Sequence, residues 1–158
     1  MMNQIPQEMF LGMLNSLAMC GAYGAVGLAA AGSALGTGLA GSAALGAWKR
    51  RYIANKPAPF ALIIFAGAPL SQTIYAMILM MVIKDKITPE YTQMLFHMML
   101  GIFAGIAFFF SAYFQGKAAA AACDAYGETE KGFGNVITVL GIVETVALFA
   151  LIFALMVA

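Results

Sequence analysis

Apolar residues are gathered into four long segments, and short polar stretches separate them. Each segment has at least the roughly 20 residues that a helix needs to cross the hydrocarbon core of a bilayer. A bilayer offers no water to unpaired backbone groups and four strands cannot close a barrel, so the segments must span as helices. The pattern predicts an all-α membrane protein with four transmembrane helices, at about residues 10–47, 60–83, 91–122 and 136–158.

Charge in the connections predicts the topology. Residues 48–59 carry four basic groups and no acidic one, so they are expected on the cytoplasmic side. Residues 84–90 have no net charge and form a short external loop. The expected arrangement is two tandem helical hairpins, residues 1–83 and residues 91–158, with both termini outside. Residues 123–135 then form the second of the two longer, cytoplasmic loops.

An internal repeat supports the two hairpins. Residues 32–40 can be aligned with residues 110–118, and the two stretches share a Ser-Ala pair and a polar residue followed by glycine. The same operation applied to the second and fourth segments places Gln72 opposite Glu144, with a threonine following each. The repeat rests mainly on hydropathy and on the placement of polar residues. It indicates that one hairpin carries a carboxylate where the other carries an amide.

Segment one is unusually poor in bulky side chains. Ridges of small residues allow helix backbones to approach closely in lipid, where packing drives association. Two adjacent ridges of this kind run along the segment: Gly21, Ala25, Ala29, Ser33, Thr37 and Gly41 on one, and Gly32, Gly36, Ala40 and Ala44 on the other. Segment one is therefore expected in a crowded inner layer, and segment three shows the same tendency more weakly.

Composition limits the partners of the chain. Hydrophobic residues make up 63% of the sequence, charged residues make up 9%, and the formal net charge is +1. Such a chain contacts lipid and has no strong field to attract nucleic acid. The two cysteines do not form a disulfide framework, and clustered Cys and His ligands for a transition metal are absent from the sequence.

Glu144 is the only acidic residue in the fourth segment, and residues 132–158 contain no other charged side chain. A carboxylate near the middle of a bilayer is costly unless it is paired, protonated or bound to a cation. Chains that keep such a group usually use it, so Glu144 is the leading candidate for a functional residue.

Other oxygen-bearing side chains lie at matching depths in the neighbouring segments. Ser71, Gln72 and Tyr75 fall within an arc of about 100° on one helix face, and Gln115 stands next to a glycine in segment three. Pro69 cannot donate a backbone hydrogen bond, so a carbonyl oxygen is freed nearby. One carboxylate among several neutral oxygens suits a hard cation of single charge, because a single negative charge would bind Ca²⁺ or Mg²⁺ poorly.

Three short runs carry most of these polar side chains: Pro69-Leu70-Ser71-Gln72-Thr73-Ile74-Tyr75, Gln115-Gly116-Lys117-Ala118-Ala119-Ala120 and Val143-Glu144-Thr145. Together they resemble the duplicated four-helix proteolipid, known as the K or c-ring subunit, of the bacterial V-type rotary ATPases, and most closely its sodium-type members. The resemblance extends over nearly the whole chain. It implies that Glu144 is the ion-binding carboxylate of a Na⁺ site, completed by Gln72, Gln115, Ser71, Tyr75 and the carbonyl group of Ala68.

The resemblance also implies partners and a location. The protein would form a homo-oligomeric ring in the bacterial plasma membrane, with segments one and three inside and segments two and four outside. It would be a non-catalytic subunit, with ATP turned over on a separate soluble head. A stator subunit would place a basic residue opposite Glu144, and a central-stalk subunit would touch the loops at residues 48–59 and 123–135.

Three alternatives stay open from the sequence. The first is a rotor-ring subunit of the same machine that carries H⁺, although a proton needs only Glu144 and one hydrogen-bond partner. The second is a four-helix secondary transporter that exchanges a cation for protons. The third is a structural or pore-forming four-helix protein, which would leave the coincidence of Gln72, Gln115 and Glu144 unexplained.

Overall fold

A computed structural model describes residues 6–88 and 93–158, and within these ranges the chain is helical apart from short connections. Four helical stretches are long and apolar enough to cross a membrane, which confirms the predicted all-α protein with four spanning helices. Residues 1–5 and 89–92, which include the predicted loop residue Glu90 and the predicted start of segment three at Tyr91, lie outside the described residues. The helices are α1 (Gln7–Ile53), α2 (Ala61–Gly67), α3 (Ser71–Lys86), α4 (Met94–Thr129) and α5 (Phe133–Val157).

Helices α1 and α4 are longer than the apolar segments that predicted them. The first six residues of the predicted loop 48–59 and the first seven of the predicted loop 123–135 are helical. Charge marked the loop borders in the sequence, but a helix ends where the backbone leaves helical geometry. Positive φ angles occur at Asn55 (52°) and Glu130 (54°), just beyond the ends of α1 and α4. Both connections are therefore shorter than the sequence predicted.

The extended ends of α1 and α4 carry charges that pair with one another. Arg50 forms an ion pair with Asp124 of α4. Arg51 is nearly buried, forms an ion pair with Glu130, and donates a hydrogen bond from Nε to the carbonyl oxygen of Pro57 at 3.0 Å. Charged groups that mark the two predicted loops thus fasten the two hairpins together.

One turn of 3-10 helix, Ala68–Leu70, joins α2 to α3 within the second spanning helix. Pro69 lies at its centre and has no backbone N–H to continue the α-helical hydrogen bonds. Pro69 is buried, and its Cβ lies close to Gly36 of α1. The turn makes Ser71 the first residue of α3, which fixes where the polar side chains of this helix point.

Helices α1 and α4 run parallel and pack backbone against backbone. A methyl group at Gly101 would overlap the carbonyl oxygen of Gly21, and a methyl group at Gly116 would overlap the backbone of Gly36. The two contacts are 15 residues apart on both helices, so the close approach continues for several turns. This packing agrees with the prediction that the small residues of segment one meet a neighbouring helix.

The buried face of α1 changes from one predicted ridge to the other. The first ridge is buried as far as Ser33, whereas Thr37 and Gly41 are partly exposed, and Gly36 and Ala40 of the second ridge take over the contact. Each step of four residues turns the side chain by about 40° around the helix. A ridge of strict four-residue steps therefore leaves the interface after a few turns.

Burial in both inner helices instead recurs every 11 residues. This period equals about 3.67 residues per turn, which is typical of helices that wrap around each other in the right-handed sense. The positions are Ala18, Ala29, Ala40 and Arg51 in α1, and Met94, Gly105, Gly116 and Gly127 in α4.

Candidate ion-binding site

Three helices, α3, α4 and α5, meet around one group of polar side chains. Gln72 projects from the first turn of α3, Gln115 from α4 and Glu144 from α5. Both amide side chains are 0% exposed, and Glu144 is half-buried. Buried polar groups are costly unless they are hydrogen-bonded within the protein. The partners of these three side chains therefore define the site.

Each oxygen of the Glu144 carboxylate accepts a hydrogen bond from a different helix. The hydroxyl of Tyr75 on α3 donates to Oε1 at 2.5 Å, and Nε2 of Gln115 on α4 donates to Oε2 at 3.2 Å. Gln115 Nε2 also donates to the carbonyl oxygen of Leu140 at 3.1 Å. The carboxylate is thus held between two helices, and each of its oxygens keeps lone-pair capacity for a cation.

The two buried amides connect Glu144 to the start of α3. Gln72 donates from Nε2 to Oε1 of Gln115 at 2.8 Å and to the hydroxyl of Ser111 at 3.3 Å. The hydroxyl of Ser71 lies within donating distance of Gln72 Oε1, at 3.2 Å. The hydrogen bonds therefore point in one direction, from Ser71 through both amides to the carboxylate. Such chains polarise one another and are strengthened by the low dielectric constant of the interior.

Three oxygens at the other end of this network are closely spaced. The hydroxyl oxygen of Ser71 lies 3.3 Å from the carbonyl oxygen of Ala68 and 3.2 Å from Oε1 of Gln72. A hard cation with oxygen ligands at about 2.3–2.6 Å places ligands at right angles about 3.3–3.7 Å apart. The spacing of these oxygens is close to that range. The carbonyl group of Ala68 is available because the 3-10 turn at Pro69 interrupts the helix.

The structure brings the six predicted site groups into one hydrogen-bonded network, and their role in binding an ion stays a prediction. The six are the side chains of Glu144, Gln72, Gln115, Ser71 and Tyr75 and the carbonyl group of Ala68. Thr145, which follows the carboxylate, points away, is exposed and donates to Ile142 O of its own helix.

Ser111 belongs to the network but was not predicted as a site residue. It is 5% exposed, accepts from Gln72 and donates to the carbonyl oxygen of Val143 at 3.3 Å. The internal repeat contained the signal, because it aligns Ser111 with Ser33. Ser33 is also buried on an inner helix and is bonded to an outer one, accepting from Thr73 at 2.9 Å.

Replacement of Ser111 by alanine should weaken cation binding, because Gln72 loses an acceptor that holds its amide in place. The loss of one such hydrogen bond is worth about 1 kcal/mol, or roughly a fivefold rise in the dissociation constant. Equilibrium binding of ²²Na⁺ to the purified oligomer measures it. Ser33→Ala is the matched control, since it removes the equivalent hydroxyl outside the Glu144 network. Equal affinities in the two variants would exclude Ser111 from the site.

Residues 98–157 match the protein family described as the C subunit of ATP synthase. The matched stretch begins in α4, ends at the last residue of α5, and contains Ser111, Gln115 and Glu144. No curated protein matches the chain. Because members of the matched family are non-catalytic subunits, the expectation that this chain is not itself an enzyme is confirmed. The family match supports this chain as a proteolipid of the ion-translocating rotor ring of a rotary ATPase.

Proposed function

We propose that the chain is the rotor-ring subunit of a sodium-translocating, V-type rotary ATPase, and that it carries one Na⁺ at Glu144. One observation carries the proposal. Glu144 is the only carboxylate within the fourth spanning helix, and side chains from α3 and α4 hold its two oxygens at 2.5 and 3.2 Å. A carboxylate held in this way inside a span is a binding group for a cation or a proton.

The physical chemistry of the carboxylate links ion binding to rotation. Ionised Glu144 is too costly to face lipid, whereas Glu144 neutralised by a bound cation or proton can do so. A ring of these subunits therefore turns through the bilayer only where its sites are loaded. A basic residue of a stator subunit would offer a competing partner for the carboxylate and release the ion. Rotation is then coupled to ATP turnover on a separate soluble head.

The number of oxygens supports Na⁺ as the carried ion. A proton requires only the carboxylate and one hydrogen-bond partner, and further polar groups add desolvation cost in a span. The network contains two buried amides and three hydroxyl groups in addition to Glu144. A cation of single charge makes use of these oxygens as ligands, which gives a physical reason for their presence.

The arrangement of four helices with one such carboxylate supports the V-type assignment. The repeat places Gln72 where the other hairpin has Glu144, so each chain would carry one ion for four helices. In this assignment the α1 and α4 ends near Arg50 and Glu128 face a central-stalk subunit on the cytoplasmic side. Both chain termini then face outward from a bacterial plasma membrane.

A proton-carrying ring is the second candidate, and one observation favours it. The hydroxyl of Tyr75 lies only 2.5 Å from Glu144 Oε1, and the network is closed by hydrogen bonds among its own members. A protonated carboxyl would therefore find partners without any cation.

ATP-driven uptake of ²²Na⁺ by the reconstituted holoenzyme distinguishes the two candidates. If Na⁺ is the carried ion, a protonophore should leave uptake intact or increase it, because it removes the opposing membrane potential. If uptake collapses on addition of the protonophore while ATP hydrolysis continues, Na⁺ moves secondarily and the proton candidate is correct.

A further inference from the structure

Lys117 is a charged residue within the third spanning helix that the ion site does not use. It lies in α4, two residues beyond Gln115. Two residues turn an α-helix by about 200°, so Lys117 points away from the site. Its side chain is exposed, whereas Gln115 is buried. The face of α4 that carries Lys117 is therefore the face opposite α3 and α5.

The depth of Lys117 follows from the contacts of Gln115. Gln115 bonds to Leu140 and Glu144, which lie near the middle of α5. Lys117 is only about 3 Å further along α4, at 1.5 Å per residue. The end of α4 at Thr129 is 12 residues away, or about 18 Å. A bilayer centred on α5 would thus leave Lys117 far inside the hydrocarbon.

The side chain of Lys117 is not directed toward the nearer end of its helix. Its Nζ lies 5.7 Å from the ring centre of Tyr113 and 5.8 Å from that of Phe114. Both rings precede Lys117, as expected for helical side chains, which tilt toward the N-terminus. Among the described residues, the ion pairs of acidic groups are made with Arg50 and Arg51 and not with Lys117.

The surface around Lys117 changes from apolar to polar on two helices at the same height. On α4, exposed Ile106 and Phe110 precede Lys117 on this face. On α1, exposed Leu35 and Leu39 precede Ser42. The heights correspond because Gly36 of α1 packs directly against Gly116 of α4. The apolar rows end together at Lys117, as the edge of a hydrocarbon layer would require.

We propose that Lys117 binds the phosphate of an anionic phospholipid whose acyl chains lie along the apolar rows of α1 and α4. A lysine in hydrocarbon without a counter-charge is strongly disfavoured. A lipid phosphate supplies the opposite charge, and basic residues near an anionic membrane surface are attracted to it. The lipid headgroups on this face then lie at the level of the middle of α5.

Phospholipid analysis of the purified oligomer tests this site. The wild-type protein, produced in membranes that contain phosphatidylglycerol, should retain about one more molecule of it per chain than Lys117→Met does. Lys117→Arg keeps the charge and should retain the lipid. Lys86→Met is the matched control, since it removes an exposed lysine at the end of α3. Equal phosphatidylglycerol in Lys117→Met and wild type would overturn the proposal, as would loss of neutral and anionic lipid alike.

Chemical labelling of the wild-type oligomer provides a test that needs no variant. Bound phosphate should shield the Lys117 amine from acetic anhydride, so acetylation should rise several-fold after lipid is removed with detergent. Lys49 at the end of α1 should be acetylated equally before and after, and it serves as the internal reference. Acetylation of Lys117 that does not respond to lipid removal would exclude a headgroup there.

Discussion

Replacement of Glu144 by glutamine is expected to abolish ion transport while the oligomer still assembles. Glutamine has nearly the same shape, so it can keep a hydrogen bond with Tyr75 and with Gln115 on the two neighbouring helices. It cannot ionise, and it therefore cannot exchange a bound cation for a stator charge. The rate of ATP-driven ion uptake by the reconstituted holoenzyme should fall by at least about 100-fold, because binding is lost rather than weakened.

The control for this prediction is Glu128→Gln, which also removes one carboxylate. Glu128 is exposed at the end of α4, where it lies 3.8 Å from Arg50. An exposed ion pair of this kind contributes about 0–1 kcal/mol to stability, so its loss should leave transport near the wild-type rate. Oligomer size in detergent shows that both variants assemble. Wild-type transport by Glu144→Gln would remove this residue from the mechanism.

The second large effect is expected for Gly101→Ala, at the close approach of α1 and α4. The added methyl group would overlap the carbonyl oxygen of Gly21, which is backbone and cannot move aside as a side chain can. Forcing atoms into a packed contact costs about 1–3 kcal/mol and occasionally more. The effect opposes helix propensity, which favours alanine over glycine by about 0.8–1 kcal/mol. The thermal midpoint of the oligomer should therefore fall.

Gly134→Ala is the matched control, because a methyl group there would have nothing within 4 Å. It changes the same residue type near the start of α5 and should leave the midpoint equal or raise it. Fluorescence-detected size exclusion after heating measures both variants. Gly101 lies 14 residues from Gln115, so a change in its stability is not a change in the ion site. A Gly101→Ala protein as stable as the control would contradict the backbone contact between α1 and α4.

The helices were predictable from sequence because hydropathy alone decides which segments can cross a bilayer. Their ends were not, because Trp48, Arg50 and Asp124 are polar or charged yet fit well into a helix. Hydropathy therefore places the membrane border and not the helix border. The ridge along α1 was also only partly predictable. The exchange at Ser33 between the two rows depends on the 11-residue period of burial, which requires the position of α4 to be known.

Most of the site was predictable because polar side chains are rare in these helices and each one stands out. Glu144, Gln72 and Gln115 could be named from the printed sequence. The order of the hydrogen bonds could not, since it depends on how α3 and α5 face the two sides of α4. Ser111 was missed because serine between helices is common in membrane proteins and carries no charge to mark it. Its alignment with Ser33 distinguished it only once both hydroxyls had partners.

Protection of Glu144 by Na⁺ tests the central claim most directly. Dicyclohexylcarbodiimide reacts with protonated carboxyl groups in apolar surroundings, so label should fall on Glu144 rather than on exposed carboxylates such as Glu128 and Glu130. A bound Na⁺ excludes the proton from the carboxylate. At near-neutral pH, Na⁺ should therefore slow labelling of the purified oligomer, and K⁺ should act much more weakly, because packed helices fix the size of the cavity.

Gln115→Leu supplies the decisive comparison within the same measurement. It removes an amide oxygen and a donor to Glu144 but keeps the reactive carboxyl group. Labelling of Glu144 should persist in this variant, and a higher Na⁺ concentration should be needed to slow it. If wild-type labelling instead follows pH alone and Na⁺ has no effect at any concentration, the sodium site is wrong and the ring carries protons.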